Sequence, residues 1–191
     1  MLAGLWSMTL SAQDTVSCEG TERTDIRPTS PTERWVIPVG NEQLAVDRLT
    51  GLAWARCQLG YVLSGSACVL DASPTVYTWA DALVAAGTTG ARIEADYATG
   101  WRLPNIKELS GITEQRCFGP AFNADIFPNV SINMRLLSST PVPKVDSGTT
   151  ETRILTVHTS TSGIYTQARA ETHMVRLVRE LSTDEITALA P

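Results

Sequence analysis

The chain has 191 residues, a net charge of −5, and 43% hydrophobic against 18% charged residues. That balance belongs to a globular domain and not to a disordered chain, while the acidic excess argues against nucleic acid, whose phosphates call for a concentrated positive field. No apolar run reaches the roughly 18 residues that crossing a bilayer requires, so the chain is expected not to span a membrane.

Residues 1–16 read as an apolar arm or a remnant signal segment. Met1–Leu10 carries no charge, and Ser11-Ala12 resembles a small-residue cleavage site, but the basic stretch of a secretory signal is missing. Residues 17–33, with Pro28 and Pro31, form an irregular lead-in. Two extended runs, Arg34–Val39 and Gln43–Leu49, flank Gly40-Asn41 as a hairpin. Thr50-Gly51 then turns the chain into Leu52-Ala53-Trp54.

Cys57 to Cys68 reads as a turn-rich loop punctuated by Gly60 and Gly65. Thr78 caps a helix over Trp79–Ala86 that stops at Gly87, with Trp79, Leu83 and Ala86 on its buried face. A second helix starts at Pro104, buries Ile106, Leu109 and Ile112, and turns Lys107 and Glu108 to water. The loop Cys117–Val130 is held by Phe118, Phe122 and Phe127, and a strand over Leu136–Thr140 ends at Pro141. Lys144–Thr152 is polar and reads as a surface loop. Three strands follow, Arg153–Thr159, Ile164–Ala168 and Met174–Arg179. Ser182-Thr183-Asp184-Glu185 is a capping-box pattern that opens a terminal helix. Helices followed by an antiparallel meander point to an α+β fold.

The four cysteines, Cys18, Cys57, Cys68 and Cys117, allow three disulfide connectivities. A bridge across the Cys57–Cys68 loop would leave Cys18 to Cys117, and two such bridges imply an oxidising compartment. Reactive thiols are the competing reading, with only Arg56 and Arg116 alongside to lower a thiol pKa. No CxxC spacing occurs, and His158 and His173 lie far from the cysteines, so no metal site or cofactor is expected.

Several separated motifs fall into one order. They are Asp47-Arg48-Leu49-Thr50-Gly51-Leu52-Ala53-Trp54, the Cys57–Cys68 loop, Tyr77-Thr78-Trp79-Ala80-Asp81-Ala82-Leu83, and Gly100-Trp101-Arg102-Leu103-Pro104-Asn105-Ile106-Lys107-Glu108-Leu109. Phe127-Pro128-Asn129, Ser138-Ser139-Thr140-Pro141 and Val175-Arg176-Leu177-Val178-Arg179 complete the series. From about Arg34 to Glu180 the chain resembles the Lcl C-terminal domain family, named after the adhesive domain of the Legionella collagen-like protein. The resemblance implies a C-type lectin-like fold, with two short helices packed on a twisted antiparallel sheet, long loops and two disulfides. It favours the pairings Cys57–Cys68 and Cys18–Cys117, and it makes Trp54, Trp79 and Trp101 core markers. Domain boundaries follow: an arm at 1–16, the lead-in at 17–33, the Lcl-like domain at 34–180 and a helix or tail at 181–191. Three departures stand out: Ala53 before Trp54 in place of Met, Leu136-Leu137 in place of an aromatic, and Val39-Gly40-Asn41-Glu42 in place of an acidic turn.

The family's exported bacterial members imply a secreted or cell-surface location and adhesion through a glycan or protein ligand. Sulfated glycans need converging Arg or Lys. Lys144, Arg153 and Arg169 are the candidates in the C-terminal half, with Arg135 and Arg176 as further basic residues there. Asp146 and Glu151 are too few for a calcium cage of six to eight oxygens. The related formylglycine-generating enzymes use a late cysteine pair, and this chain has no Cys after Cys117, so a non-enzyme is expected. The other reading is a structural subunit or decoration of a surface filament, joined to itself or to a partner through the N-terminal arm.

Overall fold

The structure, a computed structural model, describes residues 14–73, 75–89, 100–146 and 149–188. The expected arm over residues 1–16 thus lies outside the described residues, apart from Asp14–Val16. In chain order the elements are β1 (Thr21–Glu22), a 3-10 turn (Thr32–Arg34), β2 (Trp35–Val36), β3 (Leu44–Asp47), β4 (Leu52–Ala55), β5 (Tyr61–Ser64), β6 (Ala67–Leu70), α1 (Trp79–Thr89), α2 (Ile106–Gly111), β7 (Cys117–Phe118), β8 (Arg135–Asp146), β9 (Thr149–His158), β10 (Ile164–Ala168), β11 (Val178–Glu180) and α3 (Thr183–Ala188).

This is an α+β fold built from antiparallel strands. Its expected single sheet is instead two, a four-stranded one ordered β11-β4-β3-β2 and a three-stranded one ordered β10-β9-β8, with β5-β6 and β1-β7 as separate pairs. The first sheet starts from the expected hairpin, in which Trp35 faces Asp47 and Val36 faces Val46. Asp47 shapes the next turn. It accepts from the Leu49 amide and the Thr50 hydroxyl, and Gly51 takes the positive φ of 69° that the reversal into β4 needs.

Helix α1 starts where Thr78 and Asp81 exchange hydrogen bonds, Thr78 Oγ1 donating to the Asp81 carboxylate and accepting from its amide. Its buried face runs through Ala82 and Ala86, one helical turn apart, and Leu83 is 42% exposed on the flank. Leu83 therefore does not belong to the core, against expectation. Before α2, Gly100 takes a φ of 92°, and Trp101-Arg102-Leu103 runs extended, bridged to Val178 at Arg102. The helix begins two residues later than expected, at Ile106. Asn105 is its N-cap, accepting from the amides of Lys107 and Glu108. Glu108 does not face water: it reaches back to the Asn105 amide and pairs with Arg102 at 2.8 Å. The expected box at the terminal helix forms in the same way, with Ser182 and Glu185 bonding reciprocally.

The C-terminal half differs most from its reading. Lys144–Thr152 is not a loop, because β8 and β9 continue as a hairpin out to the pair Asp146 and Thr149. Strand β8 also passes through Pro141 and Pro143 after an irregularity between Leu137 and Pro141. The two prolines share one phase of the strand's alternation, and β8 is an edge strand, where a missing donor is tolerated. Helix α2 packs on β8 and β9, and α1 packs on β8.

Two buried clusters result. One gathers Trp35, Trp54, Leu109, Phe122, Phe127 and Val157, and the other Leu44, Leu59, Trp101, Leu137, Ile154 and Leu177. Trp35 and Phe122 both meet Phe127 edge to face, at 5.1 and 6.1 Å between ring centroids. Phe118, expected to help order this region, is 48% exposed because β7 pairs along the surface with β1.

Both disulfides form as the resemblance implies, Cys18 with Cys117 and Cys57 with Cys68. The latter closes a β5–β6 hairpin where only turns are expected. The lead-in is stitched down by more than its cysteine. The Thr29 and Ser30 amides donate to the buried Glu114 carboxylate at 3.0 and 2.6 Å, and Asn123 donates to the Ser30 carbonyl.

Candidate functional site

Strand register carries Lys144, Arg153 and Arg169 to one end of the three-stranded sheet. Val142, Arg153 and Ala168 lie in one row across β8, β9 and β10, Lys144 is two residues beyond Val142, and Arg169 follows Ala168. Residues two apart on a strand share a face, so Lys144, Glu151 and Arg153 project together. Glu151 stands directly opposite Lys144 and also binds Arg153 Nε at 3.1 Å. The carboxylate thus tempers this pair of cations. Arg169 is exposed and lies over the Trp79 ring, 4.8 Å from its centroid, and the Trp79 indole donates to the Ser138 carbonyl. Trp79 is therefore half a core residue and half a platform for an exposed cation.

Arg135 and Arg176, the further basic residues considered above, are drawn toward the interior. Arg135 is half-buried over the Tyr165 ring at 5.3 Å. Arg176 is 0% exposed. Its Nη1 donates to the carbonyls of Ala55, at 2.6 Å, and Arg56. Burial, aided by the charge of Arg56, pushes its pKa down to about 9. Arg56 itself is spent on the carbonyls of Glu42, Asp125 and Ile126. These arginines tie backbone segments together from inside.

The histidines are also engaged. Burial lowers the pKa of both, with Arg135 adding to the effect at each, and His173 approaches Glu171 at 3.5 Å. Among the described residues no three His, Cys, Asp or Glu side chains gather as a metal site.

A second feature has no counterpart in the sequence reading. A cleft of about 370 Å³ opens between the base of the β5–β6 hairpin, the end of β4 and the C-terminal half of α1. Its walls include Gln58, Leu59, Tyr61, Asp71, Tyr77 and Thr88. Backbone bonds hold them: Leu59 N–H donates to the Val175 carbonyl, the Asp71 and Ala72 amides both donate to Gly60, and Tyr77 exchanges two bonds with His173. Gln58 is 2% exposed, yet its Nε2 has no hydrogen-bond partner. A glutamine in a turn-rich stretch reads as solvated, so no local signal could have singled it out.

Residues 43–179 match the model of the Lcl C-terminal domain, more than half of the chain. The chain belongs to the Lcl C-terminal domain family. Comparison with curated proteins and with solved structures returns no match. The matched Lcl span opens at Gln43, beside β3, and closes at Arg179 within β11. It contains the Cys57–Cys68 hairpin, both helices α1 and α2, the basic end of the sheet and the whole cleft. Cys18 lies before it, so the Cys18–Cys117 bridge joins the lead-in to the Lcl domain covalently.

Proposed function

We propose that this chain is an exported surface domain of a bacterium that recognises a glycan or protein ligand and performs no catalysis, on a C-type lectin-like scaffold. The observation that carries the reading is membership of the Lcl C-terminal domain family over residues 43–179. Two disulfides and no free cysteine among the described residues suit an oxidising, extracellular setting. No helix among the described residues is long and apolar enough to cross a membrane.

The binding face of this proposal is the end of the three-stranded sheet, supported by the register that sets Lys144 and Arg153 on one face, with Arg169 following the last residue of β10. Arg169, spread over Trp79, offers a planar cation to a sulfate or carboxylate. Lys144 adds a second cation at the same end of the sheet.

The test is an array of sulfated, carboxylated and uncharged glycans, with extracellular matrix proteins alongside, read with wild type and a Lys144→Ala/Arg169→Ala variant. Wild type is expected to be retained on anionic glycans, less so as salt rises, and the variant to lose most of that signal. Absence of retention on every glycan and protein would overturn the reading.

A further inference from the structure

The cleft beside the Cys57–Cys68 hairpin shares no residue with the basic end of the sheet, and its chemistry is different. Among the described residues no Lys, Arg or His lines it, and Asp71 is the one carboxylate there. An anionic ligand would find no counter-charge there. The walls combine two tyrosines, Tyr61 and Tyr77, with the aliphatic surface of Leu59, Val62 and Ala85. Gln58, Asp71, Ser73 and Thr88 supply hydrogen-bonding groups. A volume of about 370 Å³ falls in the range of pockets that hold small organic ligands, where apolar walls give contact and a few polar groups give orientation.

Gln58 is the observation that points to a ligand. A buried amide donor left unpaired costs free energy, and native proteins rarely leave one so. Gln58 is one of the residues that line the cleft, and the terminal torsion of a glutamine is broad and soft. The amide can therefore turn to an acceptor in the cleft without moving the backbone, which the bonds from Leu59 to Val175 and from Tyr61 to Gln58 hold in place. The occupant must offer an acceptor to Gln58, polar groups to the rest of the wall, and an apolar flank to the tyrosines.

We infer that this cleft is a second binding site, and that it takes an uncharged sugar ring. A pyranose meets all three demands at once: its hydroxyls both donate and accept, and its C–H faces lie against aromatic surface. The site goes beyond the proposed anionic face and works independently of it.

The experiment titrates isotope-labelled, disulfide-intact protein with the methyl glycosides of glucose, galactose and mannose, with N-acetylglucosamine and N-acetylgalactosamine, and with a sulfated disaccharide as the charged control. One or more of the uncharged sugars is expected to shift the amides of residues 57–62 and 71–73 saturably. Gln58→Met, which keeps the volume and removes the donor, weakens that binding about tenfold, the size of one hydrogen bond made in a buried site. Thr88→Trp places bulk at an exposed position on the cleft wall and abolishes it, with an unchanged melting curve showing that the fold persists. Lys144→Ala/Arg169→Ala leaves it intact, which separates this site from the anionic face. The inference is overturned if no uncharged sugar shifts these amides, if only the sulfated disaccharide does, or if both cleft variants bind like wild type.

Discussion

The guanidinium carbon of Arg176 sits 4.6 Å from the centroid of the Phe127 ring, in a place that solvent does not reach. Among the described residues no carboxylate bonds to this arginine. Its charge is met by the carbonyls of Ala55 and Arg56 and by the face of an aromatic ring. It therefore links the end of β4 to the aromatic cluster around Phe122 and Phe127.

Arg176→Ala is expected to remove about 4 kcal/mol of stability, since it opens a cavity and strands two carbonyls. For a chain of this size that is a fall of about 12 °C in melting temperature. Arg176→Met, which fills the space without a charge to desolvate, is expected to recover part of the loss. Calorimetry of the three proteins checks this; equal melting temperatures would show that the arginine does not hold the core.

A second prediction concerns Arg34 and Asp47, paired through two bonds of 2.7 and 2.6 Å with almost no exposure of the carboxylate. Asp47→Ala also strips the acceptor from the Leu49 amide and the Thr50 hydroxyl. A loss of about 3 kcal/mol is expected, as for breaking one side of a buried pair. A double-mutant cycle with Arg34→Ala in urea should return a coupling above about 1 kcal/mol. A coupling near zero would mean that the turn, and not the ion pair, carries the effect.

Acid should unfold the domain in two stages. Burial, partly offset by Glu171, holds the pKa of His173 below its ordinary 6.5. Such a group favours the folded state above pH 6.5 and withdraws that support as the pH falls through its lower folded value. The carboxylates come next. Burial tends to raise Asp47 and Glu185, but bonds from Arg34 and Arg179 prevail, and Arg102 lowers Glu108 directly. Their support is complete above their unfolded values of 3.8 for Asp and 4.5 for Glu, and drains away as pH falls through the lower folded ones. Urea midpoints measured from pH 8 to pH 2 should fall gently at first and then more steeply. His173→Gln should flatten part of the first stage, the rest coming from His158, and leave the second.

The fourth prediction separates the two disulfides. By loop length, the bridge spanning 11 residues, Cys57–Cys68, contributes about 3 kcal/mol, and the one spanning 99, Cys18–Cys117, about 4 to 5. Paired Cys→Ser variants should rank in that order in chemical denaturation. Loss of the shorter bridge should also loosen the cleft, seen as faster amide exchange at residues 58–62.

Legibility followed the range of the interactions. Helix α1 and the terminal capping box could be read directly, because Thr78, Ser182 and Glu185 act within a few residues of their own positions. Trp54 and Trp101 are buried as expected of core markers. What escaped depends on distant partners. Glu108 reads as solvated until Arg102 is folded back onto it. The β8–β9 hairpin extends through polar residues and two prolines because an edge strand tolerates both. At the candidate site, Lys144, Arg153 and Arg169 were visible as residue types, but Glu151 and Trp79, which set their character, are assigned to them only by register and packing. Arg176 and Gln58 were hidden for the same reason: nothing local marks a polar side chain as buried.

The bridge from Cys18 to Cys117 has a mechanical meaning as well. Tension on whatever precedes Cys18 crosses that bond and enters the chain at Cys117, next to the region that leads into β8. A ligand gripped at the far end of the β8–β9 hairpin would pull against this short covalent path. The intervening residues 19–116, with three of the four strands of the first sheet, both early helices and the cleft, hang beside the line of force. A domain wired in this way can bear load at one face while a binding pocket at another keeps its shape.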